Sequence, residues 1–372
     1  HEIGRVPSEG FMNLSLCMIV RNEEETIGRC LAGVAEACDE IIIVDTGSTD
    51  KTKEIAGKYT DKIYDFAWND DFSAARNFSF SKATGDFILW LDADDVLTFE
   101  ELEKFIDFKK TLSEKDDVVL MRYECAFDED GNAVFFFYRE RIFRRAKGFL
   151  WKGRVHEAVE YSGNVRYSDI AIKHFSAKTE YGDRNLKIYE KQKASGEAFS
   201  PRDVFYYGRE LFYHKRYGDA KKTLCSFLEN PNGWVENKIE ACKFLSEIYL
   251  SENDTENAAK TLFSSFLYGS PRAEICCRIG NIFVEKEQYE TAVFWYKSAL
   301  SAAEDGKGGA FVSSEYSGFI PLIMLTFCHD RTGKLADAEE YNRRAGKLRP
   351  NSKEYLYNLK YFEGLKNSVY KE

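Results

Sequence analysis

Leu14 to Val20 (LSLCMIV) is a nearly unbroken apolar run, the pattern of a strand covered on both faces. A polar stretch follows, and Ile27, Leu31, Val34 and Ala35 then recur on one side of a helix. Glu40 to Val44 reads as a second buried strand. Thr46-Gly-Ser-Thr-Asp50 reads as a turn, with Thr49 or Asp50 placed to cap the helix behind it. Lys62 to Asp65 is a short third strand, Phe72 to Ala83 a helix, and Asp86 to Leu91 a fourth strand that runs into Asp92-Ala93-Asp94-Asp95. Strands alternating with helices predict an α/β unit built on a mostly parallel sheet. Strand-like signals continue from Asp117 to about Ala171, clearest at Val118 to Tyr123 and Ala133 to Tyr138.

After about Thr179 every segment reads as helix, and the pattern repeats. Gly208, Ser246, Gly280 and Thr326 align. Twelve positions on come Ala220, Ala258, Ala292 and Ala338, and four further on Leu224, Leu262, Tyr296 and Asn342. Small residues at fixed offsets let paired helices approach closely, as in a tetratricopeptide-like array with its period of about 34 residues. The alanine spacings are uneven, with the longest gap around Asp305-Gly-Lys-Gly-Gly309; the third unit fits best and the fourth worst. The expected organisation is a tag or disordered leader at residues 1–11, an α/β domain at 12–178, a helical linker at 179–200 and an all-α helical-repeat domain at 201–372.

Composition narrows the partners. The net charge is −10, from 62 acidic and 52 basic residues. A field of that sign repels a phosphate backbone, so no nucleic-acid partner is expected, although a small nucleotide held through a metal is compatible. The nine cysteines include no C-x-x-C pair and read as reduced core thiols. Neither a signal peptide nor a run of apolar residues long enough for a membrane span stands out, which sets a cytoplasmic expectation.

Ligands of open α/β sheets bind beyond the carboxyl ends of strands. Asn22-Glu23 follows the first strand, Asp45 the second, and Asp92-Ala93-Asp94 the fourth, with Asp71-Phe-Ser-Ala-Ala-Arg76-Asn77 between the third and fourth. The segments CMIVRNEE, IIIVDTGSTDKT, NDDFSAARN and LDADD resemble the motifs of family 2 glycosyltransferases with the GT-A fold, over roughly Leu14 to Phe175. The further order RIFRR (Arg141 to Arg145), GRVHE (Gly153 to Glu157) and then His174 is similar to the subgroup with C-terminal repeats, which includes the glycocin (sublancin-type) peptide S-glycosyltransferases.

The resemblance implies a GT-A, Rossmann-like nucleotide-sugar-binding domain followed by a tetratricopeptide-like domain, acting on a UDP-sugar with Mg²⁺ or Mn²⁺. It implies Asp94 as metal ligand, Asp92 on ribose or metal, Asp45 on the base, and Val20, Asn22 and Glu23 lining the base and ribose pocket. Arg76 would offset nucleotide charge or form a salt bridge within the domain. Glu157 is expected as the base that takes the acceptor proton, with His156 orienting it or contacting the donor and Asp95 as the alternative base; a strand-end His-Glu pair facing solvent is the plainer alternative. His174 is expected to close the metal site or to serve the structure. Arg141, Arg144 and Arg145 are expected to reach the diphosphate or to form a basic strand edge, and Trp68 and Trp151 to stack on a sugar or pack the core. A peptide or protein is the expected acceptor, with a surface saccharide or lipid-linked glycan as the alternative, and a homodimer through the repeats is compatible. Two other classes compete: nucleotidyl transfer, which the non-glycine-rich Arg21-Asn-Glu-Glu-Glu25 disfavours, and a repeat scaffold with an inactive transferase domain.

Overall fold

The computed structural model describes residues 12–175, 182–302 and 306–369. The leader expected at residues 1–11 and the domain boundary expected at 178–179 lie outside them. The chain divides into two compact units between Ala198 and Phe199.

In the first unit, strands β1 (Leu14–Val20), β2 (Glu40–Asp45), β3 (Ile63–Asp65) and β4 (Phe87–Trp90) alternate with helices α1 (Ile27–Ala32), α2 (Thr52–Ala56) and α3 (Phe72–Lys82). There follow β5 (Asp95–Val96), α4 (Phe99–Lys109), β6 (Val118–Phe127), β7 (Ala133–Arg144), β8 (Trp151–Lys152), β9 (Ala158–Val159), β10 (Val165–His174) and α5 (Arg184–Ala194). The main sheet runs β3-β2-β1-β4-β7-β6-β10-β5.

The apolar runs are explained by burial on both faces. In β1, Leu14, Leu16, Met18 and Val20 join one core while Cys17 joins the other. Ile41 and Ile43 of β2 face the first core, and Ile42 and Val44 the second. In β4, Phe87 and Leu89 alternate in the same way with Ile88 and Trp90. β3, β2, β1 and β4 are parallel, as the alternation predicts. Beyond β4 the sheet is mixed: β7 is antiparallel to both β4 and β6, β10 is parallel to β6, and β5 is antiparallel to β10. Too few residues separate Phe127 from Ala133 for the crossover that a parallel pair needs, so β6 and β7 fold as a hairpin. This places β7 inside the sheet, which corrects the expectation of a basic edge at Arg141, Arg144 and Arg145.

The described part of the segment expected as a helical linker, residues 182–198, falls within the first unit. Helix α5 belongs to the first unit, where Tyr189 is fully buried and its hydroxyl donates to the Val155 carbonyl at 3.2 Å. Lys191 pairs with Asp70 at 2.6 Å.

The second unit consists of helices α6 (Pro201–Tyr213), α7 (Tyr217–Glu229), α8 (Val235–Ser251), α9 (Thr255–Ser264), α10 (Ala273–Glu285), α11 (Tyr289–Ser301), α12 (Phe319–Arg331), α13 (Leu335–Leu348) and α14 (Lys353–Val369). They pack as consecutive antiparallel pairs from α6–α7 to α12–α13, with α14 closing the array on α13. Ser200 and Asp203 form a capping box with Pro201 in the first turn, which fixes where the array starts. Ala220, Ala258, Ala292 and Ala338 are all fully buried. Left-handed backbone recurs at Lys215, Asn253, Glu287 and Gly333, one in each intra-pair turn, at the same uneven spacing as the alanines. The fourth pair therefore exists despite its poor sequence fit. No helix among the described residues is long and apolar enough to cross a membrane.

The close approach of paired helices is measurable at Gly280. A Cβ there would lie 2.8 Å from the Tyr296 ring, which is fully buried and anchored by its hydroxyl on Asn281 at 2.6 Å. At Gly364, within α14, a Cβ would meet nothing within 4 Å. Gly364→Ala should stabilise by up to about 1 kcal/mol, from helix propensity. Gly280→Ala should destabilise despite the same propensity gain, because overpacking costs about 1–3 kcal/mol. Thermal midpoints of the two variants moving in opposite directions would bear this out; equal shifts would contradict it.

Candidate active site

The loops after β1 and β2 are tied together by short polar side chains. Asn22 holds left-handed backbone (φ 53°), which asparagine tolerates better than most residues. Its Oδ1 accepts from the Thr49 amide at 2.8 Å, and its own amide donates to Ser48 Oγ at 2.9 Å. The Glu23 amide donates to Thr52 Oγ1 at 2.7 Å. Asp45, at the end of β2, is 1% exposed. Its Oδ1 accepts from the Gly47 and Ser48 amides at 2.9 and 2.8 Å, while Oδ2 is buried with no hydrogen-bond partner. A buried acceptor left open in this way suits an N–H of a ligand.

Arg76 projects from α3, whose start is set by Asp71 accepting from the Ala74 amide at 3.0 Å. Its guanidinium is 6% exposed as a residue and lies 4.6 and 4.9 Å from the ring centres of Trp90 and Trp151. Nη2 donates to Asp92 Oδ1 at 2.8 Å and Nε to Glu157 Oε1 at 2.6 Å. Trp151, 2% exposed, is thus a core residue and the floor under Arg76.

The segment Gly153 to Glu157 is the loop of a small hairpin, since β8 pairs with β9 through Trp151–Val159 and Lys152–Ala158. It is fixed from outside: the Phe72 amide donates to the Arg154 carbonyl at 2.9 Å, and α5 holds Val155 through Tyr189. His156 adopts φ 52°, and its ring stacks on Tyr189 at 6.4 Å. Positive φ at a histidine beside a buried ion pair is the kind of strain that persists where surroundings over-determine it.

Three carboxylates crowd the end of β4. Burial opposes ionisation of Asp92, but Arg76, Arg139 and Arg141 outweigh it and hold its carboxyl well below the usual range. Asp95 is fully buried and pairs with the equally buried Arg141 at 2.9 Å. It also accepts from the Tyr123 hydroxyl at 2.9 Å and the Asp92 amide at 3.0 Å. These contacts hold Asp95 in a buried network, and Arg141 reaches Asp95 rather than a diphosphate. Arg144 lies by Glu114 and Asp117, at 3.8 and 3.9 Å, and Arg145 donates to the Gly85 carbonyl.

Asp94 is different. Burial, then the like charges of Asp92 and Asp95, raise its pKa in spite of His174. The antiparallel pairing of β5 with β10 sets His174 directly across from Asp95. His174 Nδ1 lies 3.5 Å from both Asp94 Oδ1 and Asp95 Oδ1, buried and without a hydrogen-bond partner. Its contact with Asp95 raises its pKa above the ordinary value; burial opposes this, while Asp94 and Asp92 add to it. Asp94, Asp95 and His174 each offer a ligand atom, all within 4.8 Å of one another. Two carboxylates and an orphaned imidazole fit a divalent cation. Asp92 is outside this cluster.

Val20, Asn22, Glu23, Arg76, Asp92, Asp94, His156, Glu157 and His174 line one cavity of about 490 Å³, within the range that holds small-molecule ligands. Asp45 is not on its wall, although Thr46 is. Ile19, Arg21, Trp68, Phe72, Ala93, Arg139, Val155, Arg184 and Asn185 complete the lining. Arg139 was missed in the sequence, where the neighbouring RIFRR cluster drew attention to Arg141. Its signal is the position two residues before Arg141 on the same strand.

The mixed sheet with a polar cavity at its strand ends places the first unit in the class of Rossmann-like α/β domains. The glycosyl transferase family 2 model matches residues 15–164, and a tetratricopeptide repeat model matches residues 273–305. A TPR repeat-containing protein of Synechococcus elongatus is 40% identical over 316 residues, covering 81% of this chain and 69% of that protein. The SPbeta prophage-derived glycosyltransferase SunS of Bacillus subtilis is 26% identical over 253 residues, 64% of this chain and 58% of SunS. Among solved structures, glucosyl-3-phosphoglycerate synthase of Mycobacterium tuberculosis, in complex with Mn²⁺ and uridine-diphosphate-glucose, aligns with TM-score 0.34 and 14% identity, over 51% of this chain and 81% of that one. The chain belongs to glycosyl transferase family 2 and carries tetratricopeptide repeats behind that domain.

The two neighbouring aspartates should respond differently to the loss of charge. Asp95→Asn strands the buried Arg141 and should cost about 3–5 kcal/mol of stability. Asp94→Asn, whose side chain is 23% exposed, relieves repulsion and should change stability by less than about 1 kcal/mol. Chemical denaturation of both variants checks this, and equal losses would contradict it.

Proposed function

We propose that the chain is an inverting, metal-dependent glycosyltransferase that moves a sugar from a UDP-sugar to a peptide or protein side chain. The observation that carries this is the joint cavity lining: Asn22 and Glu23 after β1, Asp92 and Asp94 after β4, and the His156–Glu157 loop. The first two groups lie beyond the carboxyl ends of central parallel strands, where nucleotides bind in open sheets, and the β8–β9 loop borders the same cavity.

Asp45 Oδ2 would accept from the N3–H of uracil, and Val20, Asn22 and Glu23 would flank the base and ribose. Asp92, pinned by Arg76, would take a ribose hydroxyl. Asp94 and His174 would hold a divalent cation, which when bound supplies positive charge against the diphosphate. Arg76, committed to Asp92 and Glu157, orients those two carboxylates rather than meeting phosphate itself. Glu157 would take the proton of the acceptor as its heteroatom bonds to the anomeric carbon and the bond to the diphosphate breaks. A cysteine acceptor would lean on that base least, because a thiol is partly ionised near neutral pH.

The peptide acceptor rests on the motif order shared with the glycocin enzymes and on the helical-repeat unit, an architecture whose stacked pairs offer extended binding surfaces. Mass spectrometry of peptide and saccharide panels incubated with several UDP-sugars and MnCl₂ is the test. A peptide gaining one hexose or N-acetylhexosamine mass is expected; transfer to saccharides alone would overturn the acceptor assignment. Glu157→Gln also takes a charge partner from the buried Arg76, so it is assayed on protein that a thermal scan shows to be folded; with a hydroxyl acceptor its kcat should fall by about two to four orders of magnitude with UDP affinity retained. An unchanged kcat would remove Glu157 from the base role.

A further inference from the structure

Four arginines line the cavity, and their charges are answered differently. Arg76 is met by Asp92 and Glu157. Arg184 lies over the Phe72 ring at 4.6 Å. Arg21 is exposed, where salt screens its charge. Arg139 is half-buried and forms no ion pair among the described residues.

Its guanidinium sits 4.5 Å from the centre of the Trp90 ring and 5.7 Å from that of Tyr123. Both platforms are rigid: Trp90 is fully buried with Nε1 donating to the Glu140 carbonyl at 2.7 Å, and Tyr123 is held by Asp95. Arg141 occupies the same two rings, at 4.1 and 4.4 Å. The pairing of β6 with β7 steps from Val119–Ile142 to Leu120–Glu140, so Arg141 is the extra residue of a β-bulge. With Arg76 also 4.6 Å from it, three guanidinium groups meet the Trp90 ring; Asp92 and Glu157 pair with Arg76 and Asp95 with Arg141. Asp92 acts on Arg139 without an ion-pair contact, and a partly buried guanidinium in that position gains from a ligand anion at its open edge. Its planar fork matches phosphate oxygens, and aromatic contacts fix it beforehand, which reduces the entropy lost on binding.

We infer that Arg139 binds the diphosphate of the donor, as the cation the site holds in reserve for the leaving group. This rests on the reading of the cavity as a nucleotide-sugar site.

Calorimetry with uridine and with UDP, in MnCl₂, compares the unaltered chain with Arg139→Gln and Arg139→Lys. Arg139→Gln should weaken UDP about 10- to 100-fold, the scale of hydrogen bonds to a charged group, and leave uridine as it was. Arg139→Lys keeps the charge but not the fork, and should fall between the two. It also carries the test if the glutamine variant fails to fold, which a thermal scan reveals. Undiminished UDP binding, or equal losses of UDP and uridine, would overturn the assignment while leaving the donor site standing. If the unaltered chain bound neither ligand, the donor-site reading itself would fail, and the inference with it.

Discussion

The guanidinium of Arg76 is bound where water scarcely reaches it, so the protein has to meet its charge. Two indole rings cover its faces and two carboxylates take its edges. Those carboxylates come from distant segments, Asp92 at the end of β4 and Glu157 in the β8–β9 loop. One buried cation therefore welds α3, the central sheet and the hairpin loop into a single wall. Removing either partner would leave a charge in a poorly solvated place, which is far more costly than losing a surface pair. The left-handed backbone of His156 persists next to this anchor, with α5 behind it.

The same logic sorts the three aspartates after β4. Asp92 is answered by Arg76 and Asp95 by Arg141, each through a guanidinium against Trp90. Asp94 has no guanidinium of its own; it faces His174, brought there by the pairing of a two-residue strand with the end of β10. Asp94 is the carboxylate proposed for the cation, and Arg139 the guanidinium proposed for the diphosphate. The paired charges fix the site's geometry, and Asp92 and Glu157 are among them.

Much of this was legible along the chain because the signals are local. LSLCMIV, EIIIVD and FILW alternate between two buried faces, so each reads as a strand whichever neighbour it finds. Gly280 against Tyr296 and the buried alanines read as a repeat, because a helix pair can close only over small residues. What was not legible depends on partners far apart in sequence. The insertion of β7 between β4 and β6 follows from a hairpin, not from periodicity. The two residues of β5 are too few to carry a pattern, yet they deliver His174 to Asp94. Arg76 stood out from its motif, but its commitment to Asp92 and Glu157 needed Trp90 and Trp151 in place. The binding of helix α5 to Val155 runs through one tyrosine hydroxyl, which leaves no trace in composition.

The central claim is that the strand-end cavity is a donor site preorganised by buried ion pairs. The most direct measurement is an experimental structure of the chain with UDP and MnCl₂. The account predicts uracil against Asp45, phosphates between Asp94 and Arg139, and the Arg76–Asp92–Glu157 cluster unchanged from its ligand-free geometry. UDP bound elsewhere, or Arg76 leaving both carboxylates to reach the phosphates, would contradict it.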